Sequence, residues 1–273
     1  MRTLIAIIKL SIFGLLVIIV SPLQLLILAV HKGKGAYLVP CLWHKAICAV
    51  LRIRVQVIGK PQTDAQTFFV SNHISYLDIP AIGGLLKASF VAKKDVESWP
   101  VFGFLSKLQQ TAFISRSRED AKKEKGALDQ MLADGKSLIL FPEGTSTDGR
   151  AVLPFKSSLF SIALREGAQN LFIQPFTVSM LSVNGKPPQT QAERDIYAWH
   201  INMDTPLPAH LWRFAKSSGA VIALHFHLPI QAKDYNDRKV LANLCHEHVS
   251  KGLNTTNKES THPPEEKHAL YSR

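Results

Sequence analysis

The segment Thr67-Phe68-Phe69-Val70-Ser71-Asn72-His73-Ile74-Ser75-Tyr76-Leu77-Asp78-Ile79-Pro80 decides the fold. It opens with an aromatic and β-branched run of the kind that fills a buried strand. Its middle is polar, and a helical pattern begins near Ile79. A strand that empties through a short polar turn into a helix is the repeating unit of α/β folds. That unit recurs along the chain. Residues 53–57, 67–70, 89–92, 111–115, 137–141, 171–178 and 220–226 read as strands. Helical patterns near 79–86, 100–108, 119–133, 156–166 and 237–251 fall between them, and Gly135 and Gly167 stand where two of these should stop. The expected architecture is α/β, a mostly parallel sheet flanked by helices, without internal repeats.

Outward from that body, the N-terminus changes character. Residues 10–30 run 21 positions without a charge. A helix of that length matches the hydrocarbon thickness of a bilayer, and it is longer than the apolar region of most secretory signals. Pro22 and Gln24 sit inside the run and favour a kink, so the segment either spans the bilayer tilted or turns back within one leaflet. Val39, Leu42, Trp43, Ala46, Ile47, Val50 and Ile53 then recur at helical spacing, with His44 at the border of the stripe. Such a helix suits a membrane interface or the protein's own core. The expected organisation is membrane-anchoring helices over 1–51, an α/β domain over 52–253, and a tail over 254–273 without fixed structure.

Charge follows the same division. The chain of 273 residues carries a net +11, yet residues 1–60 hold eight Lys/Arg and no Asp or Glu. Basic groups after an apolar segment favour anionic headgroups and a cytoplasmic body. They do not interleave with aromatics as on a nucleic-acid surface, so nucleic acid is not an expected partner. A content of 46% hydrophobic and 19% charged residues excludes a disordered chain. Three scattered cysteines exclude a disulfide scaffold. Gly135-Lys136-Ser137 precedes a strand and lacks the upstream glycine of a P-loop, and no G-x-S-x-G elbow exists. His225, His227 and the run Cys245-His246-Glu247-His248 contain metal-binding residue types without a convincing ligand set, and no metal is expected.

Active groups in α/β folds gather at the carboxyl ends of strands. The first such end presents His73 and, five residues on, Asp78. A histidine serves as general base near neutral pH, and a carboxylate on its second ring nitrogen fixes the tautomer. The spacing needs a turn between the two, and His73 taken in isolation reads sooner as a satisfied structural histidine. The second end presents Arg116, a forked partner for phosphate or a surface ion-pair member beside Glu119-Asp120. The third is Phe141-Pro142-Glu143-Gly144-Thr145-Ser146, where Gly144 permits close backbone approach to an anion and Glu143 either binds a hydroxyl, orients a base or caps the turn. Lys156 follows, a cation near a helix start or a plain solvated lysine.

Taken in order, Asn72-His73…Asp78, Phe113…Arg116, Phe141-Pro142-Glu143-Gly144-Thr145 and Ile173-Gln174-Pro175-Phe176 resemble the blocks of the glycerolipid acyltransferase family, with its His-x-x-x-x-Asp motif. The family includes 1-acylglycerol-3-phosphate acyltransferases, and residues 194–212 look like its bacterial lyso-ornithine-lipid branch. The resemblance covers about residues 68–178. It implies metal-independent acyl transfer from acyl-CoA or acyl carrier protein to a lysophospholipid hydroxyl, at the membrane. His73 and Asp78 would be catalytic; Arg116, Glu143, Gly144, Thr145 and Lys156 would hold the acceptor. The first-ranked acceptor is 1-acylglycerol-3-phosphate, giving phosphatidic acid, with lyso-ornithine lipid second and a non-catalytic lipid-binding protein as the alternative class. Ser146 departs from the family, many of whose members carry Arg after Gly-Thr, so phosphate need not be gripped in the usual way.

Overall fold

A computed structural model describes residues 1–31, 33–115, 126, 128–165 and 170–261. The helices are α1 (Arg2–Val30), α2 (Leu38–Leu51), α3 (Asp78–Gly83), α4 (Phe102–Leu108), α5 (Gln191–Arg194), α6 (Leu207–Ala215) and α7 (Arg238–Thr261). The strands are β1 (Ile53–Ile58), β2 (Thr67–Ser71), β3 (Ser89–Lys93), β4 (Ala112–Ile114), β5 (Leu138–Leu140), β6 (Phe172–Val183), β7 (Ala220–Phe226) and β8 (Ile230–Gln231). They form one sheet in the order β1-β7-β6-β2-β5-β3-β4, with β8 paired to β6.

Strands β6, β2, β5, β3 and β4 run parallel, so their carboxyl ends share one edge. Strand β7 reverses against β6, and β1 follows β7. The sheet is therefore mixed and mostly parallel. The reversal has a local cause. The excursion over residues 184–219 leaves and returns at one point, where Asn184 N–H donates to Gly219 carbonyl at 3.0 Å and Val183 pairs with Ala220. A chain that returns to the edge it left must pair antiparallel.

Both faces of the central strands are buried. Neighbouring residues of a strand point to opposite faces. Phe69 and Ile139 enter one core with Ile82, Phe176, Tyr197 and Phe214. Phe68, Val70, Leu138 and Leu140 enter the other with Phe160, Leu241 and Cys245. Each fully buried Phe or Leu contributes about 1.5–3 kcal/mol, which explains why these runs show no polar alternation.

Helix α1 runs unbroken through Pro22, so the segment does not turn back on itself. It packs on α2, α4 and α6. Lys9 Nζ donates to Ser217 carbonyl at 3.1 Å, and Gln24 Nε2 donates to Leu108 carbonyl at 3.0 Å. Those anchors lie roughly 22 Å apart along the helix at 1.5 Å per residue, so α1 lies against the body instead of rising from it. Its other face exposes Leu4, Ile8, Leu15, Ile19 and Leu26. It is the one helix, among the described residues, long and apolar enough to cross a membrane.

Three local expectations change. Helix α2 buries Pro40, Cys41, His44, Ile47, Cys48 and Leu51, which puts His44 at the centre of the inner face while Leu42 is exposed. Residues 157–162 form a 3-10 turn in place of a helix, as the Ser161 hydroxyl donates to Ser158 carbonyl at 2.8 Å and competes with the backbone ladder. Helix α7 continues past residue 254 to Thr261, held by buried Val249 and Leu253 and met by no helix breaker before Pro263. The first part of the 119–133 pattern, Gly167, and the tail beyond Thr261 lie outside the described residues.

Candidate active site

Strand β2 ends at Ser71, and Asn72 ties that end to β6. Its amide donates to Val178 carbonyl at 2.9 Å and accepts Val178 N–H at 2.8 Å, a side chain doing what one more pair of strand residues would do. The chain then turns through His73 into α3. Two outside segments hold the turn: Thr147 N–H donates to His73 carbonyl at 2.9 Å, and Trp199 N–H donates to Ile74 carbonyl at 3.1 Å.

The turn brings the predicted pair together. His73 Nδ1–H donates to Asp78 Oδ2 at 2.8 Å. The same oxygen accepts Ile74 N–H at 2.7 Å and Ser75 N–H at 3.0 Å. Asp78 Oδ1 accepts the Tyr197 hydroxyl at 2.9 Å. The carboxylate is completely buried and fully satisfied, whereas the imidazole keeps 19% of its surface exposed. Burial, reinforced by the Asp78 charge, pushes the Tyr197 phenol well above its usual range, so it stays a neutral donor. His73 stacks on Phe141 at 4.1 Å between ring centroids, 14° from parallel. With Nδ1 engaged, Nε2 is the nitrogen left to exchange a proton with a substrate.

Of the roles open to Glu143, the geometry matches the turn-capping one. It is buried, Oε1 accepts His73 N–H at 2.8 Å, and Oε2 accepts Leu153 N–H at 2.8 Å. Both oxygens face protein backbone. Burial lifts its pKa to about 7, against the lowering effect of those two bonds. Gly144 adopts φ +68, and Lys156 lies across it so closely that a Cβ there would strike the ammonium. Lys156 N–H also donates to Pro142 carbonyl at 3.0 Å, which folds the residue back over the turn. Thr145 lines the adjoining cavity, and the Ser146 hydroxyl donates to Trp199 carbonyl at 2.7 Å. Arg116, two residues past β4, lies outside the described residues.

A cavity of about 570 Å3 opens from His73 and runs beneath α1 and α2. Phe13, Ile47, Leu77, Phe90, Trp99 and Leu211 are among its apolar lining residues. Tyr76 also lines it, its hydroxyl donating to His210 Nδ1 at 3.0 Å while His210 Nε2–H donates to Asp195 carbonyl at 3.0 Å. Neither Tyr197 nor His210 follows from any local pattern: both come from the 184–219 excursion. Among the described residues, no group of three or more His, Cys, Asp or Glu is placed to hold a metal. His227 instead bonds the Thr177 hydroxyl at 2.9 Å, and Cys245 is buried in the core.

A family model described as Acyltransferase matches residues 52–179. The chain is 35% identical over 212 residues to the lyso-ornithine lipid O-acyltransferase of Rhodobacter capsulatus, covering 76% of this chain and 73% of that one. It is 31% identical over 208 residues to the 1-acyl-sn-glycerol-3-phosphate acyltransferase of Neisseria meningitidis, covering 75% and 76%. The crystal structure of a 1-acyl-sn-glycerophosphate acyltransferase from Thermotoga maritima shares the fold, with a TM-score of 0.65 over 94% of this chain and 98% of that chain at 19% identity. The chain belongs to the acyltransferase family, related to lyso-ornithine-lipid and 1-acylglycerol-3-phosphate acyltransferases.

Proposed function

We propose that this protein transfers an acyl group from a thioester, on coenzyme A or acyl carrier protein, to the hydroxyl of a lysolipid at the membrane surface. The observation that carries the reading is the His73–Asp78 pair at the mouth of an apolar cavity. His73 Nε2 takes the acceptor's hydroxyl proton as its oxygen attacks the thioester carbonyl. The resulting imidazolium is stabilised by Asp78 and then protonates the departing thiolate. A thioester is already activated, so a positioned base with aligned reactants suffices, the base contributing on the order of a hundred- to ten-thousand-fold. The cavity takes the acyl chain, each buried methylene adding about 0.8 kcal/mol.

In this reading Glu143 positions the His73 backbone and does not touch the acceptor. Gly144, Thr145 and Lys156 form the lip that meets the acceptor's polar head, and the reading assigns Arg116 to the same head as a further cation. The exposed face of α1 lies in the headgroup and acyl boundary, with exposed basic residues such as Arg2, Lys45, Arg52 and Arg54 toward anionic lipid on the cytoplasmic side.

For the acceptor, lyso-ornithine lipid now ranks ahead of 1-acylglycerol-3-phosphate. Four relatives at 30–35% identity are lyso-ornithine-lipid O-acyltransferases. In addition, position 146 offers a hydroxyl turned toward Trp199 in place of a guanidinium. The Neisseria relatives and the Lys156 ammonium over Gly144 favour the phosphate-bearing acceptor as the second reading. A panel of both lysolipids, offered with labelled acyl-CoA and acyl carrier protein and read by product mass, tests this. Acylation of lyso-ornithine lipid is expected; exclusive acylation of 1-acylglycerol-3-phosphate reverses the ranking, and no acyl product from any lysolipid refutes the enzyme.

A further inference from the structure

The wall of the cavity beneath α1 and α2 carries buried polar groups. There Ser21 Oγ, Gln24 Oε1, Trp43 Nε1 and His44 Nδ1 are buried without a hydrogen-bond partner among the described residues, and all four residues line the cavity. Ser21, Gln24 and His44 are at most 8% exposed. Buried polar side-chain atoms are nearly always paired. Four unpaired ones along one wall mark a place shaped for a polar group of the ligand.

What each residue does with its other atoms fixes the chemistry. Gln24 Nε2 donates to the Ala36 and Leu108 carbonyls, each at 3.0 Å, so the amide atom left over is an acceptor. Gln109 Nε2 donates to Thr111 Oγ1 at 3.1 Å, which leaves Gln109 Oε1 to accept His44 Nε2–H at 2.7 Å. The lone pair of His44 therefore sits on Nδ1, a second acceptor, and burial pushes this imidazole down to about 4, keeping it neutral. The Trp43 indole N–H only donates, and the Ser21 hydroxyl does either. A neutral set with both donors and acceptors suits an alcohol. It lacks the cations and surplus donors that a phosphate or carboxylate requires.

The cluster stands apart from the reacting atoms. Helix α3 begins at Asp78 beside His73 and ends at Gly83, where a Cβ would strike the His44 ring. Five residues of helix separate the two points by roughly 8 Å. We propose that the part of this cavity beneath α1 and α2 binds a hydroxyl carried mid-chain by a lipid acyl group, which accepts from Trp43 or Ser21 and donates its one proton to Gln24 or His44. The inference rests on the reading of the cavity as an acyl-chain site.

Binding without turnover tests it. A positional series of hydroxystearates and plain stearate would compete with a fluorescent fatty acid on the purified full chain in mild detergent. One isomer should bind roughly tenfold tighter than stearate, the worth of a good net hydrogen bond or two. That ratio should fall toward one in Ser21→Ala and in Trp43→Phe, whose lost atoms hold no other partner. No isomer tighter than stearate would overturn the proposal and leave the cluster to water alone, as would a preference that survives both substitutions. Hydroxy-chain preference without any acyl transfer would refute the proposed function and leave this site standing; transfer without preference would do the reverse.

Discussion

Asp78→Asn probes the pair with the least structural disturbance. Asp78 Oδ2 accepts three N–H groups, from His73, Ile74 and Ser75, and Oδ1 accepts only the Tyr197 hydroxyl. An asparagine satisfies the first three with its oxygen and turns its amide nitrogen toward Tyr197, whose hydroxyl rotates to accept. Shape and hydrogen-bond count survive, and only the charge is lost. When His73 takes the acceptor proton, carboxylate and imidazolium sit about 4 Å apart, worth roughly 4 kcal/mol at an effective dielectric of 20. Without that charge the transition state rises by a similar amount, so kcat should fall about a thousandfold. The assay is thiol release from acyl-CoA with lysolipid in detergent micelles, on protein whose unfolding midpoint matches the native chain. A folded Asp78→Asn protein within threefold of native turnover would refute the reasoning, because the buried carboxylate would then be a structural cap on the turn.

Tyr197→Phe removes one of the four donors to Asp78 and should lower kcat about tenfold with little change in KM, together with a shift in the pH–rate profile; an unchanged profile would assign the phenol to packing alone. Glu143 carries a proton more firmly folded than unfolded, about 7 against 4.5, so stability is greatest below the unfolded value, declines as pH rises between the two, and levels above about 7. The full decline is about 3 kcal/mol. Glu143→Gln should flatten that slope in denaturant unfolding, and a native slope persisting in the variant would locate it elsewhere. Lys156→Ala should raise the acceptor KM roughly fivefold, the worth of one exposed charge contact, whereas an effect confined to the thioester donor would remove Lys156 from the acceptor's path.

What the sequence makes legible is what is local. Residues 67–70 read as a strand because both faces are buried and the run is wholly apolar. His73 and Asp78 are legible as a pair because one turn closes the gap between them. The partners that complete the site arrive from far along the chain: Tyr197 lies 119 residues from Asp78, and no spacing rule connects them. The excursion over 184–219 that delivers Tyr197 also reverses β7, so the missed residue and the unexpected strand direction share one cause. Glu143 was visible as a carboxylate on a turn, but sequence does not reveal that two backbone N–H groups claim both its oxygens. The helical pattern puts His44 at the border of an apolar stripe, because spacing does not carry the hydrogen bond to Gln109 that lets an imidazole point inward.

The most direct test is transfer of a labelled acyl group from thioester to lyso-ornithine lipid by native and His73→Ala proteins, both shown folded. The account predicts acylated product from the native chain and a loss of at least about a hundredfold in the variant, the contribution of one positioned base. Equal product from both would contradict it, since the proton of the acceptor would then leave by a route in which His73 has no part.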